Sequence, residues 1–404
     1  MKFLELEEQE YKNFVEKSLL KSFYQVKNMD KLSEKKGYIS YYVGIKENNI
    51  IVCATRLMAK KNKIGQVYFY APRGPIMDFN NQTLLKYFTK EIKKFIKHNH
   101  GYVLHIDPLV INKERDIDGN IKENGIDNSK IIQQLKDCGY IHNGFVIENN
   151  LQSQGRWHFV LDIKNKSMEE LYDKMRDSTK RKIRKAIKSG VEIRELDYSE
   201  IGEFKKITSK TSSRKQFADK SLDYYKTMYE IFNLTGNVKF LLARLNVKKY
   251  VQSVEFEINV ESNNRNKKNA NKEKIEENIR ILNDKLDKAR EILQHKDYIN
   301  LSVAMFILYG KEIDYLFGGS YKEYLYLYSP YLLQDYMIRY GVDNKYEKYD
   351  FYGIVGSFNK NDPSYGVYDF KKGFGGYVEE YIGDFYLPIN WFYKINKIIE
   401  SFKK

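Results

Sequence analysis

Between Arg176 and Lys188 the chain carries seven basic residues, Arg176, Lys180, Arg181, Lys182, Arg184, Lys185 and Lys188, against a single acid, Asp177. Guanidinium and ammonium groups at this density can grip phosphate oxygens through charge-assisted hydrogen bonds, or they can form the solvated face of a helix. The other chemistry-bearing residues do not assemble into a metal or nucleophile signature. The six histidines (His98, His100, His105, His142, His158 and His295) are not at ligand spacing, and His98-x-His100 reads as surface near a helix end. Cys53 and Cys138 form neither a disulfide framework nor a metal spacing. No phosphate-cradling Gly-x-x-x-x-Gly-Lys-Ser/Thr loop, Gly-x-Ser-x-Gly elbow or His-Glu-x-x-His pair occurs. The glycines of Lys371-Lys372-Gly373-Phe374-Gly375-Gly376 do not follow a strand and open a helix as a dinucleotide fingerprint must.

The chain around these residues has 404 positions, 42% hydrophobic and 15% aromatic with 35 tyrosines, enough apolar side chain to bury a core and exclude disorder. Lys plus Arg is 69 and Asp plus Glu 54, a net +15 that points to a polyanion: nucleic acid, anionic lipid or a phosphorylated substrate. No run of roughly 18 apolar residues occurs, so no helix spanning a membrane is expected. The acidic start MKFLELEEQEYKNFVEKSLL lacks the pattern of a signal peptide, so a cytosolic protein is expected.

Periodicity predicts a helix over 7–20, strands over 39–46, 49–57 and 65–71, a helix over 83–98 and a strand over 102–107. In the second half a strand over 312–317 enters the loop Gly318-Gly319-Ser320, a helix follows over 329–341, and a strand over 348–354 closes the unit. Strand, loop, helix and strand therefore occur twice in the same order, as two related α/β domains would give. The basic cluster falls in SMEELYDKMRDSTKRKIRKAIKSG, predicted as one helix with Gly190 as C-cap. Val247, Val251, Val254 and Ile258, then Ile275, Ile279, Leu282, Leu286, Ala289 and Leu293, step by threes and fours on either side of a polar Asn/Lys-rich segment. They predict an antiparallel coiled-coil arm. From Lys248 to Lys296 this arm has 12 basic and 9 acidic residues, so the basic excess lies mainly elsewhere.

Whole segments resemble the FemABX aminoacyl-tRNA-dependent peptidyltransferases, nearest the FemA-like branch. The stretches that carry the resemblance include YVGIKENN (42–49), RGPIMD (73–78), LHIDP (104–108), FADK (217–220), FGGSY (317–321), YLLQDYMIRYG (331–341) and GVYDFKKGFGGYVEEYIGDFYLPIN (366–390), collinear from about residue 1 to 395. The resemblance implies an α/β fold of two GNAT-like domains with an inserted antiparallel coiled-coil helical arm. Placed on this sequence, that gives a first domain over 1–152, a second over 153–246 and 300–395, the arm over 247–299, and a C-terminal helix end over 396–404. It also implies an activity. Glycine, alanine or serine would pass from aminoacyl-tRNA to the side-chain amine of the peptidoglycan stem peptide on lipid II or UDP-MurNAc-pentapeptide, or to a bridge already begun. The work would be done at the cytoplasmic face of the membrane, with no cofactor. The alternatives are a CoA-dependent N-acyltransferase, for which no pyrophosphate loop is present, and a noncatalytic tRNA- or membrane-binding protein. The arm is open to two uses, tRNA contact or self-association.

An aminoacyl ester is already activated, so the enzyme must orient it, let the amine lose a proton and stabilise the oxyanion. The resemblance assigns the last task to the lysine of a Phe-Lys pair in a C-terminal strand, here Phe370-Lys371. It assigns a phosphate grip to a basic residue and an aromatic four positions on, here Lys220 and Tyr224. A further phosphate-binding lysine is expected eight residues after Gln25, where this chain has Ser33, so Lys35, Lys36 or Lys31 takes its place, with Lys35 the first choice. Asp107 is the candidate base or a positioner of substrate. Arg73 and Gly74 shape a turn at the cleft, and Tyr315, Tyr331 and Tyr352 line it.

Overall fold

The structure, a computed structural model, describes residues 1–145, 153–267 and 270–401. Two mixed sheets organise it. In the first, the strands run in the order Lys2–Glu5, Ile39–Glu47, Ile50–Lys61, Val67–Ala71, Gly101–Ile106, Phe385–Pro388 and Ile141–His142, with the short Ile76–Met77 paired to Ile50–Lys61. In the second, the order is Val191–Glu195, Val238–Asn246, Tyr298–Tyr309, Glu312–Ser320, Lys348–Gly353, Trp157–Asp162, Tyr377–Tyr381 and Ile111–Glu114. Each sheet contains one parallel pair, and each pair is bridged by a helix. Helix Gln82–His98 connects Val67–Ala71 to Gly101–Ile106, and helix Ser329–Asp343 connects Glu312–Ser320 to Lys348–Gly353. These are the two repeated units predicted above.

The elements follow their side chains. Val43 and Ile45 alternate inward from Ile39–Glu47, while Leu84, Leu85, Phe88, Ile92 and Ile96 make one buried face of the helix Gln82–His98. Asn81 caps that helix, its side chain accepting from the Leu84 N–H at 3.0 Å. The arm is built from the helices Val247–Asn264 and Lys272–Leu293. Val251, Val254, Leu282, Leu286 and Ala289 are buried in a cluster continuous with the core of the second sheet. Arg290–Glu255 at 2.7 Å and Arg265–Glu276 at 2.6 Å tie the two helices across their solvent side.

Four expectations change. The sheets do not keep to the sequence segments: Ile111–Glu114 adds to the second sheet and Phe385–Pro388 to the first, pairing with Gly101–Ile106. The chain thus passes between the sheets four times, and the boundary expected at 152 lies outside the described residues. Gly318, Gly319 and Ser320 belong to the strand Glu312–Ser320 rather than to a loop. A Cβ on Gly319 would meet the Thr208 backbone at 2.9 Å, so the glycine lets the helix Ile201–Lys215 lie directly against the strand. The basic segment is two helices, Met168–Lys174 and Asp177–Lys188. It breaks because the Arg176 N–H donates to the Gly373 carbonyl at 3.0 Å instead of to the preceding turn, and the Arg176 guanidinium forks onto Asp369 at 2.9 and 3.1 Å. Finally, Phe370-Lys371 lies not in a strand but in the helix Tyr365–Lys372, whose buried Tyr368 and Lys371 are three apart on one face. No helix among the described residues is long and apolar enough to cross a membrane.

Candidate active site

A cavity of about 870 Å³ opens between the two sheets. The first sheet and its preceding turns supply Tyr24, Lys36, Arg56, Tyr68 and Tyr70; the second supplies Tyr315, Gly318, Tyr352 and Gly353; two helices bring Tyr224 and Lys371, and the segment leading into the first of them brings Lys220. Five of the residues expected in a site therefore share this cavity: Lys220, Tyr224, Tyr315, Tyr352 and Lys371.

At the cavity rim the Lys36 and Lys220 ammonium groups both lie over the Tyr224 ring, 5.4 and 5.7 Å from its centre. Neither forms an ion pair among the described residues. Partial burial, then repulsion from Lys220 and Lys60, lowers the pKa of Lys36. Two like charges held over one aromatic ring are mutually unfavourable until an anion arrives, which is the arrangement a phosphate-binding site requires. The protein fixes the positions of Tyr224 and Lys220. Ser221 caps the helix Leu222–Phe232 by accepting from the Tyr224 N–H at 3.1 Å, and Lys205 donates to both Asp219 and the Lys220 carbonyl at 2.6 and 2.7 Å. Lys36, not Lys35, faces this site. Lys35 turns away and donates to Asp223 at 2.6 Å and Thr227 at 2.7 Å, while Lys31 pairs with Glu230. Gln25 is a scaffold: buried, it accepts from the Tyr11 hydroxyl and the Arg56 N–H and donates to the Pro72 carbonyl.

Deeper in, Lys371 is 5% exposed and donates from Nζ to the carbonyl oxygens of Tyr352 at 3.0 Å and Gly353 at 2.6 Å. Burial drags its pKa down to about 7, against a smaller opposing pull from Asp350. Tyr352 sits at φ 66°, in the left-handed region, and this turn aims successive carbonyls at one nitrogen. A buried chain of polar contacts holds the turn. Asp350 accepts from the Tyr352 N–H at 2.6 Å and from His158 Nδ1 at 2.7 Å; burial keeps His158 neutral, so Nε2 is free to accept from Arg73 at 3.2 Å. Arg73 also donates to the Gly155 carbonyl at 2.6 Å and lies over the Tyr381 ring.

Asp107, named as a base or substrate positioner, has both oxygens turned to the protein. It accepts from the Tyr70 hydroxyl at 2.7 Å, the Arg73 N–H at 2.6 Å and the Gln154 N–H at 3.1 Å. Burial raises its pKa, opposed by Arg73. Its geometry is that of a clamp on the turn Arg73-Gly74. We expect Asp107→Asn to lower the stability of the chain by about 1–3 kcal/mol in a urea titration, because its amide would face donors with a donor. A lost activity with an unchanged unfolding midpoint would instead favour the base role. Phe370 and Tyr331 do not reach the cavity. Their rings pack at 4.8 Å, and the Tyr331 hydroxyl accepts from Lys182 at 2.8 Å, which fixes the lysine helix from behind.

The residues that sequence reasoning passed over are Tyr24, Arg56, Tyr68 and Tyr70. Tyr24 and Tyr352 share a hydroxyl hydrogen bond of 2.9 Å across the two halves of the cavity. Arg56 is buried against Asp30 and Ser33, each at 2.6 Å, and an arginine amid the apolar run IVCATRL is the signal that marks it.

The FemAB family profile matches residues 6–401. The chain belongs to the FemAB family. This FemAB protein is 33% identical to the aminoacyltransferase FemB of Staphylococcus epidermidis over 422 aligned positions that cover 100% of both chains. It is 32% identical to the aminoacyltransferase FemA of the same organism, again across 100% of both. The crystal structure of FemX superposes with a TM-score of 0.77 at 22% identity, covering 99% of this chain and 100% of that one. A tandem GNAT protein from the clavulanic acid pathway gives 0.50 at 8% identity, covering 96% and 98%. The architecture is thus the two-domain GNAT-like one, and the FemAB protein described here is an aminoacyltransferase.

Proposed function

We propose that the protein takes glycine, alanine or serine from aminoacyl-tRNA and joins it to the side-chain amine of the peptidoglycan stem peptide, on lipid II or UDP-MurNAc-pentapeptide, or to a bridge already begun. The observation that carries this reading is the pairing, in one cavity, of two lysines that have no acidic partner among the described residues with a third, buried lysine whose Nζ is fixed by two carbonyls. The first pair grips the pyrophosphate of the acceptor. The third works at the bond being made, where an ester carbonyl is exchanged from a ribose oxygen to an amine nitrogen. Orientation supplies most of the rate, since the ester needs no further activation. Work at the membrane face is consistent with a lipid-linked acceptor.

The tRNA phosphates contact the basic helix Asp177–Lys188. Arg181, Arg184, Lys185 and Lys188 are exposed and form no ion pairs among the described residues, whereas Thr179, Ile183 and Ala186 anchor the opposite face. The helix begins where Arg176 is joined to Asp369 and Gly373, beside Lys371, so a strand of phosphates following it leads its end towards the reacting lysine. Changing Arg181, Arg184 and Lys188 together to Gln should raise the KM for charged tRNA and reduce its salt dependence by roughly one unit of log–log slope per lost phosphate contact. The KM for the pyrophosphate acceptor should not move.

The donor decides between this reading and a CoA-dependent acyltransferase. With labelled amino acid on tRNA, transfer to the acceptor should be complete, should stop when the tRNA is digested beforehand, and should not be restored by an acyl-CoA. Transfer from acyl-CoA alone would overturn the proposal.

A further inference from the structure

Three segments meet at one end of the first sheet, and none of them contains an acidic residue: 58–66, 92–101 and 389–398. Hydrogen bonds fix the meeting. The Val67 N–H donates to the His100 carbonyl at 3.1 Å, the Ile389 N–H to the Tyr102 carbonyl at 3.0 Å, and the Asn390 amide to the Gln66 side chain at 3.4 Å. The Phe392 ring meets the Tyr102 ring edge-on at 5.2 Å. The first segment, the turn between Ile50–Lys61 and Val67–Ala71, exposes Lys61, Lys63 and Ile64, the last by 67%. The second, at the end of the helix Gln82–His98, exposes Lys97, His98 and His100. The third runs into the helix Phe392–Ser401. Trp391, Lys394, Ile395 and Ile398 fall within about 100° of its circumference at 3.6 residues per turn. All four are exposed, Trp391 by 71% and Ile398 by 56%. Tyr393, Asn396 and Lys397 make the opposite face and line the cavity. Lys61, Lys63, Lys97 and Lys394 form no ion pair among the described residues.

We propose that this end of the first sheet docks on an anionic lipid bilayer. Trp391, Ile395, Ile398 and Ile64 enter the boundary between headgroups and acyl chains, and Lys61, Lys63, Lys97 and Lys394 lie on the lipid phosphates. The proposal rests on the lipid-linked acceptor of the function given above. Single exposed apolar residues are ordinary on a protein surface. A tryptophan and three isoleucines set among lysines, with no carboxylate in any of the three converging segments, have instead the composition of an interfacial surface. The indole ring is apolar over its body and polar at its N–H, and it settles at the headgroup level. The place of the patch fits this use. The helix Phe392–Ser401 is the wall between it and the cavity. Lys60, next to Lys61, donates to the carbonyl of Lys36, the residue that overlooks Tyr224. An acceptor whose lipid tail stays in the bilayer thus brings its pyrophosphate round one helix to reach Lys36.

Flotation of the full chain with vesicles tests the surface. Vesicles of phosphatidylcholine and phosphatidylglycerol in equal parts should carry the wild type, and vesicles of phosphatidylcholine alone should not. Lys61→Gln, Lys63→Gln, Lys97→Gln and Lys394→Gln together should lower the partition coefficient roughly a hundredfold or more, at about fivefold for each lysine near an anionic surface. Trp391→Ser with Ile395→Ser and Ile398→Ser should lower it roughly tenfold or more, and the binding that remains should vanish in high salt. Both variants should unfold at the wild-type urea midpoint and transfer at the wild-type rate to acceptor dispersed in detergent. Both should slow transfer to lipid II held in the anionic vesicles. A wild type that binds neither kind of vesicle or both equally, or variants that float as the wild type does, would overturn the proposal. So would variants that float normally but lose a self-association of the wild type, since the patch would then belong to a second copy of the chain. These results leave the proposed function standing when the wild type transfers in detergent, whereas no transfer there removes the function and not the flotation.

Discussion

Replacing Lys371 with methionine should lower kcat by roughly 10²–10⁴-fold and leave the chain folded. Methionine matches the lysine stem in length and fills the same buried space beside the turn at Tyr352–Gly353, so no cavity is left. What disappears is the one nitrogen held by both carbonyls at the cavity wall. The same substitution reports the charge state without any turnover. The folded pKa of Lys371 is about 7, below the roughly 10.4 of an exposed lysine. Between these values the unfolded chain binds more protons than the folded one, so this group's contribution to stability rises with pH across that window. Below the folded pKa the full penalty of burying a charge is present. The wild type should therefore gain on Lys371→Met by about 1.4 kcal/mol per pH unit from about pH 7 to 10. Urea midpoints of the two proteins at pH 7 and 9 measure it. A gap that does not change with pH would mean that the amine is not buried as described.

The second large effect belongs to the phosphate clamp. Lys36→Gln with Lys220→Gln should raise the acceptor KM by roughly 10²-fold or more, at about 1.5–3 kcal/mol for each charged contact, and leave kcat nearly unchanged. Both ammonium groups bind a part of the acceptor that does not react, so they stabilise ground state and transition state alike. Lys36 and Lys220 face the same Tyr224 ring, and each is relieved when the other is removed. The double-mutant cycle should therefore show coupling, with the second loss larger than the first in the presence of pyrophosphate. The free energies would simply add if the two lysines held separate groups.

Particular elements explain what the sequence revealed. The two crossover units and the arm were legible because their helices bury one continuous stripe: Leu84 to Ile96 in one, Leu282 to Ala289 in another. Lys220, Tyr224, Tyr315, Tyr352 and Lys371 reach the cavity because the segments around them hold their place in the collinear resemblance. The misses have tertiary causes. The break at Met175–Arg176 is decided by Gly373 and Asp369, nearly two hundred residues away in the chain, and no helix-period signal reports such a partner. The strands Ile111–Glu114 and Phe385–Pro388 are four residues each, too short for an alternation to stand out, and their partners lie in the other half of the chain. Lys35 and Lys36 are adjacent and chemically identical, and only the orientation of the turn after the helix Asp30–Glu34 separates the one that pairs with Asp223 from the one that overlooks Tyr224. Lys371 reads as one more basic residue beside Lys372, because burial, not identity, is what changes its chemistry.

The most direct measurement is the site of the new bond. The purified protein is incubated with lipid II, with its nucleotide precursor and with lipid II that already carries the start of a bridge, each with tRNAs charged separately with glycine, alanine and serine, and the acceptors are fragmented in a mass spectrometer. The account predicts one added residue on the side-chain amine of the stem peptide or on a bridge already begun, dependent on charged tRNA and lost with Lys371→Met. An acceptor that stays unmodified with all three tRNAs, or one modified equally well by the Lys371→Met protein, would contradict it.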